Sequence, residues 1–193
     1  MSSESSPSFE EEAIARARFL LRFADPYRVL DERGQGRGAL AALSIGLFLC
    51  ERYFRFKSNS TDLWREEAFL REAATHFETG FAFFSQFWEC YRHGMQYSGA
   101  PKTDGQSGWD INDAYPAAPT RALDKGKTII CLNPWKFTEE MIVLCWNDPA
   151  ALVKLFDAPV EGNPSGPLKW KPVPVEKVTP PAKPAEPPVT SAT

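Results

Sequence analysis

The sequence predicts an all-α fold: a bundle of four or five helices with a small β-hairpin insertion, followed by a proline-rich tail without fixed structure. Three observations carry this expectation. Apolar residues recur at helical spacing through most of the chain, most clearly as the stripe Phe81, Phe84, Trp88, Tyr91 and Met95. Only two short segments, residues 111–115 and 128–132, read as strands, and we pair them as the hairpin. Beyond position 157 the composition changes: ten of the chain's 17 prolines lie between positions 159 and 188, where apolar clusters all but vanish. The expected organisation is therefore a lead without structure over residues 1–8, one helical domain over 9–157 and a disordered tail over 158–193.

A length of 193 residues suits one domain with room for a real core. Hydrophobic residues make up 43% and aromatic residues 13%, which marks a globular chain rich in rings. The net charge of −3 lacks the global basic footprint of a dedicated nucleic-acid binder, though it leaves room for a local patch. The first residues, Met1 to Ser6, carry neither a positive nor an apolar run, so no signal peptide is expected. The longest apolar run, residues 39–50, is too short to span a bilayer. A cytoplasmic protein with no membrane partner is the expectation.

Cys50, Cys90, Cys131 and Cys145 have no close-pair spacing and each lies among apolar residues, so buried reduced thiols are expected in place of a zinc site. Only two histidines, His76 and His93, are present, which excludes multi-histidine metal sites and confines imidazole chemistry to two positions. No cofactor and no metal are expected.

Each element has its own signals. Ser8 with Glu11 forms a capping box, Glu10, Glu11 and Glu12 favour the positive helix end, and Ile14, Ala17, Leu21 and Ala24 read as the inner stripe of a helix ended by Asp25-Pro26. The glycine-rich stretch from Asp31 to Gly38 lacks the Gly-Lys-Ser/Thr of a phosphate loop and reads as a connection. Residues 39–57 predict a buried helix in which Gly46 lets another helix come close. Its end, from Glu51 to Lys57, interleaves cations with aromatics; this pattern suits a nucleic-acid surface, and equally cations placed at a helix C-terminus. Thr61 or Asp62 caps a helix running to Phe77, and Thr79-Gly80 breaks it before the aromatic helix of residues 81–97. A loop of about 25 residues that holds the hairpin follows, a length unusual in a compact domain. Asn133-Pro134-Trp135 then starts a helix facing Phe137, Met141, Leu144 and Cys145 inward, and Asp148-Pro149 opens a last short helix.

The aromatic helix ends in polar groups that a core does not need: Trp88-Glu89-Cys90-Tyr91-Arg92-His93-Gly94-Met95-Gln96-Tyr97. Here the sequence resembles the HEPN superfamily of small all-α proteins, over residues 9–156. Arg92 matches the arginine of that family's motif, His93 the polar residue after it, and Gly94-Met95 its glycine and apolar pair. Tyr97 stands where the histidine is expected. The resemblance implies metal-independent ribonuclease chemistry, in which histidine moves protons and arginine steadies phosphoryl charge. Tyrosine, with an ordinary pKa of about 10, is a poor proton carrier at pH 7, but it can contact phosphate or stack on a base. The resemblance also implies a homodimer with the motifs at its interface.

A rival pair, Arg71 and His76, is five steps apart on an unbroken helix, which turns the two side chains about 140° from each other. The plainer reading of Arg92 and His93 is that they close a helix C-terminus. Three functions follow: a catalytically degenerate HEPN-like domain that binds RNA or regulates a partner in a toxin or defence system; an active endoribonuclease using Arg92 and His93; or an interaction module whose proline-rich tail recruits another protein.

Overall fold

The computed structural model describes residues 7–32, 38–59, 66–103 and 107–157. Within them the chain is mainly helical and carries one small three-stranded sheet. The caps expected at Thr61 or Asp62, the glycine-rich connection and the proline-rich tail lie outside the described residues. No described helix is long and apolar enough to cross a membrane.

Helix α1 (Phe9–Phe19) starts on the expected capping box: Ser8 Oγ accepts from the Glu11 amide, and Glu11 accepts from the Ser8 amide at 2.8 Å. Those bonds to the charged form hold the Glu11 carboxyl below its ordinary range. The helix does not stop at Asp25-Pro26. A π-helical turn (Leu20–Ala24) leads directly into α2 (Asp25–Glu32), with the Asp25 amide reaching back five residues to the Leu20 carbonyl. The wider turn places Pro26 in the first turn of a new α-helix, where its missing N–H costs nothing. The inner face is also different from the expected one. Ala15 and Phe19 are buried, whereas Ile14, Ala17 and Leu21 are exposed.

Helix α3 (Ala39–Lys57) spans the expected residues and forms the centre of the domain, with α7 (Pro134–Asn147) lying along it. The contact is as close as Gly46 suggested. Thr138 Oγ1 lies 2.8 Å from the carbonyls of both Ala42 and Pro134, so its hydroxyl bridges the two helices. Asn133 caps α7 by accepting from the amides of Trp135 and Lys136, and its own amide donates to the Asp113 carbonyl at 2.8 Å. Helix α8 (Pro149–Asp157) begins at Asp148, whose side chain accepts from Ala151, and packs on α1 and α3.

Helix α4 (Glu66–His76) ends in a turn at Phe77 and Glu78, the latter at φ 52°. Gly80 then caps α5 (Phe81–Trp88) in the expected place. Phe84, Phe87, Trp88 and Tyr91 are all buried at 1% exposure or less, and Phe77, Phe84, Phe87 and Phe137 stack or tilt on one another at centroid distances of 5.2–5.8 Å. These rings join the aromatic helix to α7. A second π-helical turn (Glu89–His93) follows α5, and α6 (Gly94–Ser98) completes the rod. Gly94 continues the helix, with φ −59° and ψ −51°. Gly99, at φ 69°, ends the rod by a left-handed turn.

The sheet corrects the expected hairpin. Its strands are β1 (Ser107–Ile111), β2 (Thr120–Asp124) and β3 (Lys127–Leu132), in the order β1-β3-β2. The hairpin partner of β3 is β2, not residues 111–115. Lys125 and Gly126 both take positive φ, 49° and 79°, which is the two-residue turn that matches strand twist. β1 pairs with β3 in parallel, Ile111 opposite Leu132. Residues 112–115 instead turn, because Asn112 Oδ1 accepts from the Ala114 amide and its carbonyl accepts from Tyr115.

Tyr91 ties the aromatic rod to this sheet. Its hydroxyl lies 3.0 Å from the Asp110 carbonyl on β1 and 2.9 Å from the Ile130 carbonyl on β3, and burial pushes its pKa far above the ordinary range. Tyr91→Phe is expected to cost about 1–2 kcal/mol, since it removes a hydrogen bond and strands buried carbonyls. The urea midpoint should fall, and the amides of β1 and β3 should lose exchange protection more than those of α1. An unchanged midpoint would mean that the hydroxyl anchors nothing.

All four cysteines are free and buried. Burial raises the Cys50 thiol well above its usual range and the Cys145 thiol to about 12, so both are protonated at neutral pH.

Candidate functional site

Arg92 and His93 fall on the second π-helical turn, where the widened backbone changes which side chains meet. Such turns are frequent at functional sites, but what they aim at decides the chemistry. Arg92 leans on α3. Its Nε and Nη2 lie 3.1 and 3.0 Å from Glu51 Oε2, and Nη1 donates to Gln96. The other oxygen of Glu51 is 3.1 Å from Arg55 Nε. Arg55 is 8% exposed, with its guanidinium 4.5 Å over the Phe69 ring. One carboxylate thus serves two arginines, at a point where α3, α4 and the π-helical turn converge. The interleaved cations at the end of α3 have partners within the chain: Lys57 reaches Asp148 at 3.3 Å at the surface, and Arg52 stands over the partly exposed Phe48 ring.

His93 does not join Arg92. Its Nε2 is 3.7 Å from Glu66 Oε1 at the start of α4, and its side chain is about two-fifths exposed. Tyr97 belongs to α6, separated from Arg92 by continuous helical backbone; its side chain lies outside the described part. The rival pair diverges. Arg71 bonds Glu67 and covers the Phe81 ring at 4.2 Å, whereas His76 meets Glu140 of α7 at 2.7 Å between Phe54 and Phe77.

A small cleft opens on another side of the π-helical turn. Gln86, Glu89 and Cys90 face Lys102, Thr103 and Ser107 around about 90 Å³. Ligand pockets run from roughly 300 to 1,000 Å³, so this one admits water or a small ion and not a nucleotide. Two bonds join its walls: the Lys102 amide donates to the Cys90 carbonyl at 2.8 Å, and Cys90 Sγ donates to the Lys102 carbonyl at 2.9 Å. Near it, Tyr115 donates to Asp110 Oδ2 at 2.6 Å, a bond that raises the phenol's pKa. Among the described residues no cluster of three or more His, Cys, Asp or Glu side chains could hold a metal.

Sequence reasoning missed Glu51. Its spacing of four from Arg55 was a readable helical ion pair. Its bond to Arg92, 41 residues away, had no local signal. No family model matches the chain, nor does any curated protein or solved structure.

Proposed function

We propose that this chain is a catalytically degenerate HEPN-like domain that acts by regulating a partner protein rather than by cleaving RNA. The observation that carries this reading is the seat of Arg92 on Glu51 Oε2. An arginine that serves phosphate must offer its fork to solvent. This one already has a carboxylate and an amide oxygen, and its side chain is a quarter exposed. Tyrosine at the motif's histidine position supports the same conclusion, because it leaves no imidazole to carry the proton there. A toxin or defence setting, with the partner supplying the activity, is the context the resemblance suggests.

RNA contact is the second reading, favoured by one feature: His93 is accessible beside Arg92. A gel shift with single-stranded RNA separates the two. Wild type and Arg92→Ala should both fail to shift RNA, whereas Glu51→Gln should gain binding that falls with salt as the released Arg92 meets phosphate. Tyr97→His alone should cleave nothing while Glu51 holds Arg92. Glu51→Gln is expected to cost roughly 1–3 kcal/mol, because two charge-assisted hydrogen-bonding arrangements, to Arg92 and to the buried Arg55, are weakened at once. Circular dichroism must therefore show it folded at the assay temperature. RNA binding by wild type that disappears in Arg92→Ala would overturn the regulatory reading, and cleavage dependent on His93 would replace it with the ribonuclease.

A further inference from the structure

Of the residues that sequence periodicity assigns to the core face, Ile14, Ala17 and Leu21 lie on the outside. Phe9 is 89% exposed, Leu21 73%, Ile14 46% and Leu20 41%, and Ala13 and Ala17 between them are exposed as well. At 100° per residue, Phe9, Ala13 and Ala17 lie within an arc of about 80° and Ile14 widens it to about 140°, with Glu10 inside the arc and Leu20 and Leu21 following on the π-helical turn. This is the width of a core-facing stripe. The opposite side already has its partners, since Ala15 and Phe19 are buried and Arg16 bonds Glu12, the Trp146 carbonyl and the Trp146 ring. The helix therefore has two apolar faces and covers one.

We infer that the outer face of α1 pairs antiparallel with the same face of a second copy of this chain. Charge specifies the occupant and its direction. The first turn is acidic (Glu10, Glu11, Glu12) and the last basic (Arg16, Arg18). Glu11 is used by the cap and Glu12 by Arg16, which leaves Glu10 and Arg18 without an ion pair among the described residues. A two-fold axis near residues 14 and 15 sets Glu10 of each copy opposite Arg18 of the other. It also sets Phe9 against Leu20 and Leu21, Ala13 against Ala17, and Ile14 against itself. The small residues at the centre allow close approach, and antiparallel helix dipoles attract. A parallel pairing would stack acid on acid and base on base. Such an interface is isologous, closes at two copies and shares no residue with the Arg92 cluster, so it stands or falls separately from the proposed function.

Sedimentation velocity on the full chain between about 1 and 100 µM tests it. Wild type should approach twice the 21.6 kDa chain mass as concentration rises. Ala17→Glu, an exposed substitution to a good helix former, should remain monomeric throughout. Glu10→Arg and Arg18→Glu should each weaken the dimer about tenfold or more. Mixing these two variants should restore it, because each copy then offers the charge the other lacks, and the double variant should recover it alone. A monomer at 100 µM overturns the proposal. So does a dimer indifferent to Ala17→Glu, a mixture that fails to pair, or a wild type that stays monomeric and floats with anionic lipid vesicles.

Discussion

Gly46→Ala is expected to destabilise the folded chain by about 2–4 kcal/mol, although alanine is the better helix former by about 1 kcal/mol. A Cβ at this position would stand 2.5 Å from Thr138 Oγ1, 2.9 Å from Phe137 Cδ1 and 3.0 Å from Thr138 Cα. Phe137 cannot retreat, because it is fully buried among Phe77 and Phe87. Thr138 cannot rotate without leaving the Ala42 carbonyl of α3 or the Pro134 carbonyl of its own helix. The remaining relief is to push α7 away from α3, which opens the centre of the core, where packing contacts are densest. The measurement is the urea midpoint, with the denaturant slope checked for constancy. Thr138→Ala in the Gly46→Ala background should recover part of the loss by removing the nearest atom, but not all of it, since the Phe137 ring and the α7 backbone are still too near. A Gly46→Ala midpoint equal to wild type would show that the two helices are not in the contact described.

The helical class and most helix starts were legible because they depend on neighbours in sequence. The Ser8–Glu11 box, the Asn133 cap and Asp148 all act within three residues, and each is where the pattern placed it. The two π-helical turns were not legible, because an α-helix gains or loses a residue there according to what packs against it. The same fact explains why Asp25-Pro26 passed for a helix end. The strand pairing failed for a different reason. β1 and β3 are neighbours in space but run parallel, so no turn between them announces the pairing, and the turn that does announce one, Lys125-Gly126, belongs to β2. At the candidate site, the arginine was found by its motif, but its state was set by Glu51, a residue whose relevance only the packing of α3 reveals. The exposed face of α1 is the converse case. Ile14 and Leu21 carry the periodicity of a buried stripe, and the chain alone does not bury them.

Gly94→Ala is expected to cost about 3 kcal/mol and to expose Cys90. Gly94 is helical, so no left-handed backbone demands glycine there. Space demands it. A Cβ would lie 2.3 Å from the Lys102 nitrogen, 2.7 Å from the Ala100 carbonyl oxygen and 2.8 Å from the Pro101 carbonyl carbon, all of them main-chain atoms that no rotamer change can move. The π-helical turn prepares this contact. The Gly94 amide bonds the Tyr91 carbonyl in place of the Cys90 carbonyl, its partner in an ordinary α-helix, and the Cys90 carbonyl accepts from Lys102 at 2.8 Å. A methyl group therefore has to lift residues 100–102 off the rod, breaking that bond and the one from Cys90 Sγ to the Lys102 carbonyl. The loss of two buried hydrogen bonds and the strain outweigh the gain of about 1 kcal/mol in helix propensity. Cys90 is 7% exposed in the wild type. In Gly94→Ala, peptide mapping after a short pulse of a thiol reagent should show Cys90 labelled about tenfold faster or more, with Cys50 and Cys145 still protected in the core. Uniform labelling of all three would instead report global unfolding. A Cys90 as slow as in the wild type, in a protein of unchanged stability, would mean that the returning chain does not lie across Gly94.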